Sequence, residues 1–191
     1  FDQSDLKSMM FRKTKEGSNF LHSALLQNDE IKFKIAYNFA FDVLSNTMMS
    51  KLLEDMKTVL LFMLKQLTAE TMKTMIEDFS TIFGDWHLMV DENGESLIHF
   101  AICKGNLDLI KYIFDKFKEA TKTFHLYNEN LLQFALKNTT NIEIFDFLLK
   151  FTKNNLKTEK IQRILTNWDE SGNSLLCNSI LSNNSEIFKI F

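Results

Sequence analysis

The stretch "DENGESLIHFAICKGNLDLIKYIF", residues 91–114, decides the fold. It sets Gly94 after an acidic turn, then apolar residues at helical spacing, a break at Gly105 and a second helical pattern from Leu107. Aligned on Gly94, the same order of apolar and small residues returns in "GSNFLHSALLQNDEIKFKIA" from Gly17 and in "GNSLLCNSILSNNSEIFKIF" from Gly172. "NENLLQFALKNTTNIEIFDFLLKF" from Asn128 keeps the frame if one extra residue stands between its helices near Thr139 and Thr140; Asn is the usual substitute for Gly where positive φ is wanted. "TVLLFMLKQLTAETMKTMIEDF" from Thr58 matches the residues from Ser96 position for position, which puts Met56 at the glycine. Five units therefore register at Gly17, Met56, Gly94, Asn128 and Gly172. Each reads as a turn, a short helix, a tight break and a longer helix. One such pair leaves an apolar face open, so neighbours must stack.

Composition agrees with helices packed through large side chains. The 191 residues are 45% hydrophobic and 25% charged, with no proline, five glycines and nineteen phenylalanines. That disfavours loop-rich and all-β folds, and predicts an all-α chain. The formal net charge of −3 supplies no global field for nucleic acid or an anionic membrane. Two cysteines, Cys103 and Cys177, make no disulfide framework, which fits a reducing compartment, the cytoplasm or nucleus. The longest uncharged apolar run, residues 59–64, is far short of the roughly 20 residues of a membrane span. Because the chain opens at Phe1 and not at methionine, a fragment of a longer protein is expected.

Asp91-x-x-Gly94-x-Ser96-Leu97-Ile98-His99-x-Ala101, followed by Gly105 and Leu109-Ile110, resembles the D-x-x-G-x-T-P-L-H-x-A pattern of ankyrin repeats. Ser96 stands at the Thr position and Leu97 at the proline. Asp169-x-x-Gly172-x-Ser174-Leu175-Leu176 repeats the pattern, and Leu21-His22-x-Ala24 keeps its L-H-x-A part. The motif proline is absent throughout, and Cys177, Gln133 and Leu61 replace the motif His in three units. The resemblance runs from about Thr14 to the end. It implies an ankyrin-type helical-repeat solenoid with short turns and irregular linkers, one domain over residues 1–191 with units near 14–45, 53–85, 91–120, 125–152 and 169–191.

Chemistry-bearing residues are sparse. His99 and Cys103, four apart on one helix, could hold half a zinc site or pair as base and nucleophile. No second pair completes four ligands, and no oxyanion loop or phosphate cradle accompanies them. The resemblance gives His99 a structural role instead, its ring bonding backbone groups. Asp91-Glu92 and Asp169-Glu170 recur at one place in two units, which points to turn chemistry more than to acid/base catalysis. Lys150, Lys153, Lys157, Lys160 and Arg163 form a basic cluster interrupted by Glu159, read as a solvated helix face rather than a nucleic-acid contact. Phe62, Phe100 and Phe134 hold equivalent positions and are expected to fill the core between units. Asn138-Thr139-Thr140 and Asn183-Asn184-Ser185 match the glycosylation acceptor pattern, with no secretion signal beside them.

No catalysis, cofactor or metal is expected. In the proteins this chain resembles, residues beside the turn and late in the first helix make the contacts. Carried over by register, these are Glu92, Asn93, Glu95, Cys103 and Lys104 in the third unit, Leu126, Tyr127, Glu129, Lys137 and Asn138 in the fourth, and Glu170, Ser171 and Asn173 in the fifth. Leu126, Tyr127 and Trp168 are the candidate apolar anchors; packing beneath a linker is the competing account, and burial separates the two. The expected partner is another protein, bound on the concave face, with acidic tips favouring basic surfaces and the module acting as a regulator or inhibitor of a signalling or transcription factor. The alternative is a structural or oligomerising segment that self-associates through a C-terminal end carrying Ile187, Phe188, Ile190 and Phe191.

Overall fold

The computed structural model describes residues 2–15, 17–27, 29–54, 67–82, 89–91, 93–117, 131–169, 171–181 and 187. Regular structure among them is α-helical, with β-bridges confined to single residues such as Trp168 and Ser174. The chain divides into two compact units, residues 1–91 and 92–191. The first contains α1 (Gln3–Met10), α2 (Phe20–Leu26), α3 (Glu30–Val43), α4 (Asn46–Glu54) and α5 (Ala69–Ile82). The second contains α6 (Leu97–Cys103), α7 (Leu107–Lys116), α8 (Leu131–Asn138), α9 (Ile142–Asn155), α10 (Thr158–Thr166) and α11 (Leu175–Leu181).

Helix starts follow the sequence register. α2, α6, α8 and α11 each begin three residues after Gly17, Gly94, Asn128 and Gly172. α3, α5 and α7 begin thirteen residues after Gly17, Met56 and Gly94, and α9 begins fourteen after Asn128; the breaks 104–106 and 139–141 are equally long, so the extra residue lengthens α8 to eight residues against seven in α6 instead of standing between the helices. Capping side chains fix these points by satisfying amide groups that the first turn leaves open. Asp29 Oδ1 accepts from the amides of Ile31 and Lys32, Asn106 Oδ1 from that of Leu109, and Asn141 Oδ1 from that of Glu143. On the shorter helices, Asn19 Oδ1 takes the Leu21 and His22 amides and Ser174 Oγ takes that of Cys177.

The turns are built alike. Asp169 N donates to Asn173 O at 2.9 Å, and Gly172 N to Asp169 O at 2.9 Å. Thr14 N donates to Ser18 O at 2.8 Å, and Gly17 N to Thr14 O at 3.0 Å. Such a reversal needs a left-handed residue at its fourth position, and Gly17 and Gly172 sit there with φ of 81° and 72°. Nothing lies within 4 Å of a Cβ built on Gly172, so substitution there is opposed by backbone conformation alone. Gly172→Ala is expected to cost about 1–2 kcal/mol and Gly172→Asn clearly less, because Asn tolerates this region. Chemical denaturation of the two variants checks the order.

Within the second unit the short helices stack side by side, α6 on α8 and α8 on α11, while α7 packs on α9 behind them. α8 lies between two neighbours, and all six residues from Leu131 to Leu136 are buried. Phe100 and Phe134 are buried as the core equivalence required, whereas Phe62 lies outside the described residues. The linker after α9 is not irregular: Ile161, Ile164 and Leu165 recur at helical spacing and form α10, which packs on α9 and α11 with Lys157, Lys160 and Arg163 exposed. In the first unit α2 packs on α3, α3 on α4 and α4 on α5. Tyr37 of α3 meets Phe79 of α5 edge-on at 6.0 Å, and Glu30 accepts from the hydroxyls of Thr68 and Thr71. Burial opposes the Glu30 charge, but the Thr71 and Thr68 hydrogen bonds hold its carboxyl below the ordinary value.

Candidate partner-binding groove

Because α6, α8 and α11 lie side by side, their C-terminal ends share one surface with the breaks after α6 and α8. They enclose an open groove of about 670 Å³. α6 and its break supply Cys103, Lys104 and Gly105; α8 and its break supply Leu136 to Thr140; α11 supplies Asn178 and Leu181. The helices are apolar up to Ile102 and Leu136, then turn polar, so Cys103, Lys104, Lys137 and Asn138 emerge exposed. The breaks are tied together: Asn141 Nδ2 donates to Gly105 O at 3.4 Å, and Thr139 Oγ1 accepts from the Asn141 amide at 3.1 Å. Asn138 Nδ2 turns back to Phe134 O at 2.9 Å.

Lys137 has a second role. Its Nζ lies 3.1 Å from Asp169 Oδ2, while its own side chain stays 41% exposed. Asp169 is the centre of its turn: Oδ1 accepts the Ser171 and Asn173 amides at 2.9 Å each, and Oδ2 accepts Asn178 Nδ2 at 2.9 Å. Asn178, then the Asn173 amide, and then Lys137 hold the carboxyl far below the usual carboxylate range, against the opposing effect of burial. Lys137 thus anchors the next turn and also borders the groove.

The groove gathers four residues singled out by sequence, Cys103, Lys104, Lys137 and Asn138. Asn93, Glu95, Ser171 and Asn173 sit at the turns and do not line it; Asn93 and Ser171 are exposed, Glu95 and Asn173 half-buried. Trp168 is 66% exposed, which decides for a surface position over packing beneath a linker. Glu92, Leu126, Tyr127, Glu129 and Glu170 lie outside the described residues, and the acidic tips they would form go with them. Asn178 and Leu181 were not singled out. The signals were present: Leu181 shares the register of Cys103 and Lys137, and Asn178 is polar where Phe100 and Phe134 stand in the preceding units. A stripe on α3 was also missed, Ile31, Ile35 and Phe39, four residues apart and all exposed.

His99 shows the structural role. Its Nδ1 accepts the Ser96 amide at 3.0 Å, which places the ring proton on Nε2, and the ring stands edge-on to Phe134 at 4.6 Å. His22 repeats the bond, its Nδ1 taking the Asn19 amide at 3.3 Å. With Nδ1 committed, His99 cannot ligate through that atom, and Cys103 lies exposed. Among the described residues, no three His, Cys, Asp or Glu side chains are grouped to hold a metal ion. Gln133, at the motif His position of its unit, is fully buried and donates from Nε2 to Asn167 O at 3.1 Å, joining α8 to the turn before α11.

No helix among the described residues is long and apolar enough to cross a membrane. Compared with known proteins, the chain matches no family model, no curated protein and no solved structure.

Proposed function

We propose that this chain is a non-catalytic protein-binding module of the ankyrin type, which holds an extended segment of another protein across the ends of α6, α8 and α11. The observation that carries this reading is the groove itself, where exposed polar residues from three register-related helices converge on one open surface. Its openness suits a polypeptide more than an enclosed small molecule. The Lys104 ammonium and the Asn138 and Thr140 side chains offer charge and hydrogen bonds to carbonyl and carboxylate groups of a bound strand. Trp168, two-thirds exposed on an adjoining turn, is the apolar anchor. By the same reading the module regulates a signalling or transcription factor in the cytoplasm or nucleus.

The test uses the chain as bait in native lysate, beside Lys104→Glu and Trp168→Ala, with bound proteins quantified by mass spectrometry. A partner reduced about tenfold or more by either change, a loss of roughly 1.4 kcal/mol, supports the groove. Melting temperature should stay within about 1–2 °C, since exposed substitutions usually change stability by less than about 0.5 kcal/mol. A partner indifferent to both substitutions overturns the reading.

A further inference from the structure

We propose that the hollow between the Thr14 turn and α2 is a second binding site, one that takes a phosphate group carried by a segment of another protein. It lies in the first unit and shares no residue with the groove.

The hollow holds about 430 Å³ and is open to solvent; among the described residues, its lining carries three cations, Arg12, Lys13 and Lys32, and no carboxylate. Arg12 and Lys13 come from the stretch that follows α1, and Lys32 from the first turn of α3. Lys32 Nζ is shared with Asp29 Oδ2 at 3.4 Å, which leaves Arg12 as the principal cation. The uncharged neighbours add donors, because their oxygens are already engaged. Thr14 Oγ1 accepts the Ser18 amide at 3.3 Å, Gln27 Oε1 accepts Lys32 Nζ at 3.1 Å, and Asn19 Oδ1 accepts the Leu21 and His22 amides. What these three residues still offer is the Thr14 hydroxyl proton and the Gln27 and Asn19 amide groups. Asn19 is 1% exposed and its Nδ2 has no hydrogen-bond partner, a costly state for a buried donor and one that an anion settling into the hollow relieves.

A surface of cations and donors selects an anion, and its concave form selects a compact one. A phosphate monoester brings a charge of about −1.5 to −2 and three acceptor oxygens, more than a carboxylate supplies, and the Arg12 fork matches two of those oxygens. Nucleic acid would draw on a row of cations along a strand and on aromatic faces for its bases. Here the cations surround one hollow, and Phe20, the aromatic that lines it, is half-buried. Phe20 and Ala24 instead give one apolar wall, against which a side chain beside the phosphorylated residue packs. The apolar C-terminal end offers nothing comparable: Ile187 is 2% exposed, and Phe188, Ile190 and Phe191 lie outside the described residues.

An NMR titration of the intact chain with a short peptide, a central phosphoserine between two leucines, tests this. Backbone amides of residues 12–32 and the Asn19 side-chain amide are expected to shift and saturate, with no shift from the unphosphorylated peptide. Arg12→Gln and Gln27→Glu, both at exposed positions, should each weaken binding about tenfold, and added salt should weaken it further. Thermal melts verify that both variants fold, and Lys13→Gln replaces either one that does not. Inorganic phosphate and a single-stranded oligonucleotide, titrated alongside, should each bind more weakly than the phosphopeptide. No saturable shift with the phosphopeptide, shifts confined to groove residues 103–105 and 136–140, or variants that bind like wild type overturn the site. Phosphate or oligonucleotide binding as tightly as the phosphopeptide overturns a protein segment as its ligand.

Discussion

Truncating Phe134 to alanine is expected to destabilise the second unit by about 3–5 kcal/mol. The ring is 6% exposed, stands edge-on to His99 of the neighbouring helix at 4.6 Å, and lies on a helix buried along six consecutive residues. Its loss removes buried apolar surface and leaves a cavity between two packed helices. Since single domains are stable by only about 5–15 kcal/mol, this change takes a large share. Urea denaturation should show a lower midpoint with an unchanged slope. A double cycle with His99→Gln isolates the ring contact, expected at about 0.5–1.5 kcal/mol. A loss under about 1 kcal/mol for Phe134→Ala would mean that α6 and α8 do not depend on this residue.

How much of the fold was legible follows from which residues had no alternative. Gly17, Gly94 and Gly172 all adopt φ between 72° and 81°, a demand that few other side chains meet, so the turns showed in sequence. The capping residues Asp29, Asn106 and Asn141 were not singled out, although each answers open amides with a short side chain just before an apolar helical pattern. Thr14 shows the limit. It makes the turn of Asp169 with a hydroxyl in place of a carboxylate, Oγ1 accepting the Ser18 amide at 3.3 Å, so a search for Asp passes over it. α1, α4 and α10 fall outside the repeat register, and their formation depends on local spacing of a few apolar residues instead of on the five-fold pattern.

The site was legible where register alone decides exposure. Cys103, Lys104, Lys137 and Asn138 occupy positions just past the apolar part of their helices, and all four emerge on the groove. Pairings across the stack were not legible. Lys137 to Asp169 and Gln133 to Asn167 join residues more than thirty apart, and only the packing of α8 against α11 brings them together. Trp168 needed burial to be decided, because an indole beside a turn is equally at home under a linker or in solvent.

Replacing Asp169 by asparagine is expected to destabilise the fold at neutral pH far more than Asp146→Asn, which removes one exposed i,i+4 pair with Lys150 worth at most about 0.5 kcal/mol. The Asp169 carboxylate accepts two amides, the Asn178 amide group and the Lys137 ammonium. An asparagine keeps one acceptor for the turn but faces Asn178 Nδ2 and Lys137 Nζ with a donor of its own. Because these partners hold the folded carboxyl far below its ordinary value of about 3.9, the unfolded state binds its proton first on acidification. The Asp169 contribution is then fully present above that ordinary value and fades as pH falls below it toward the folded value. Thermal melts from pH 7 to pH 2 should therefore show the gap between wild type and Asp169→Asn widest at neutral pH and narrowing below about pH 4. A gap constant across that range would show that the charge is not what the turn uses, and that its geometry rests on the two amide bonds alone.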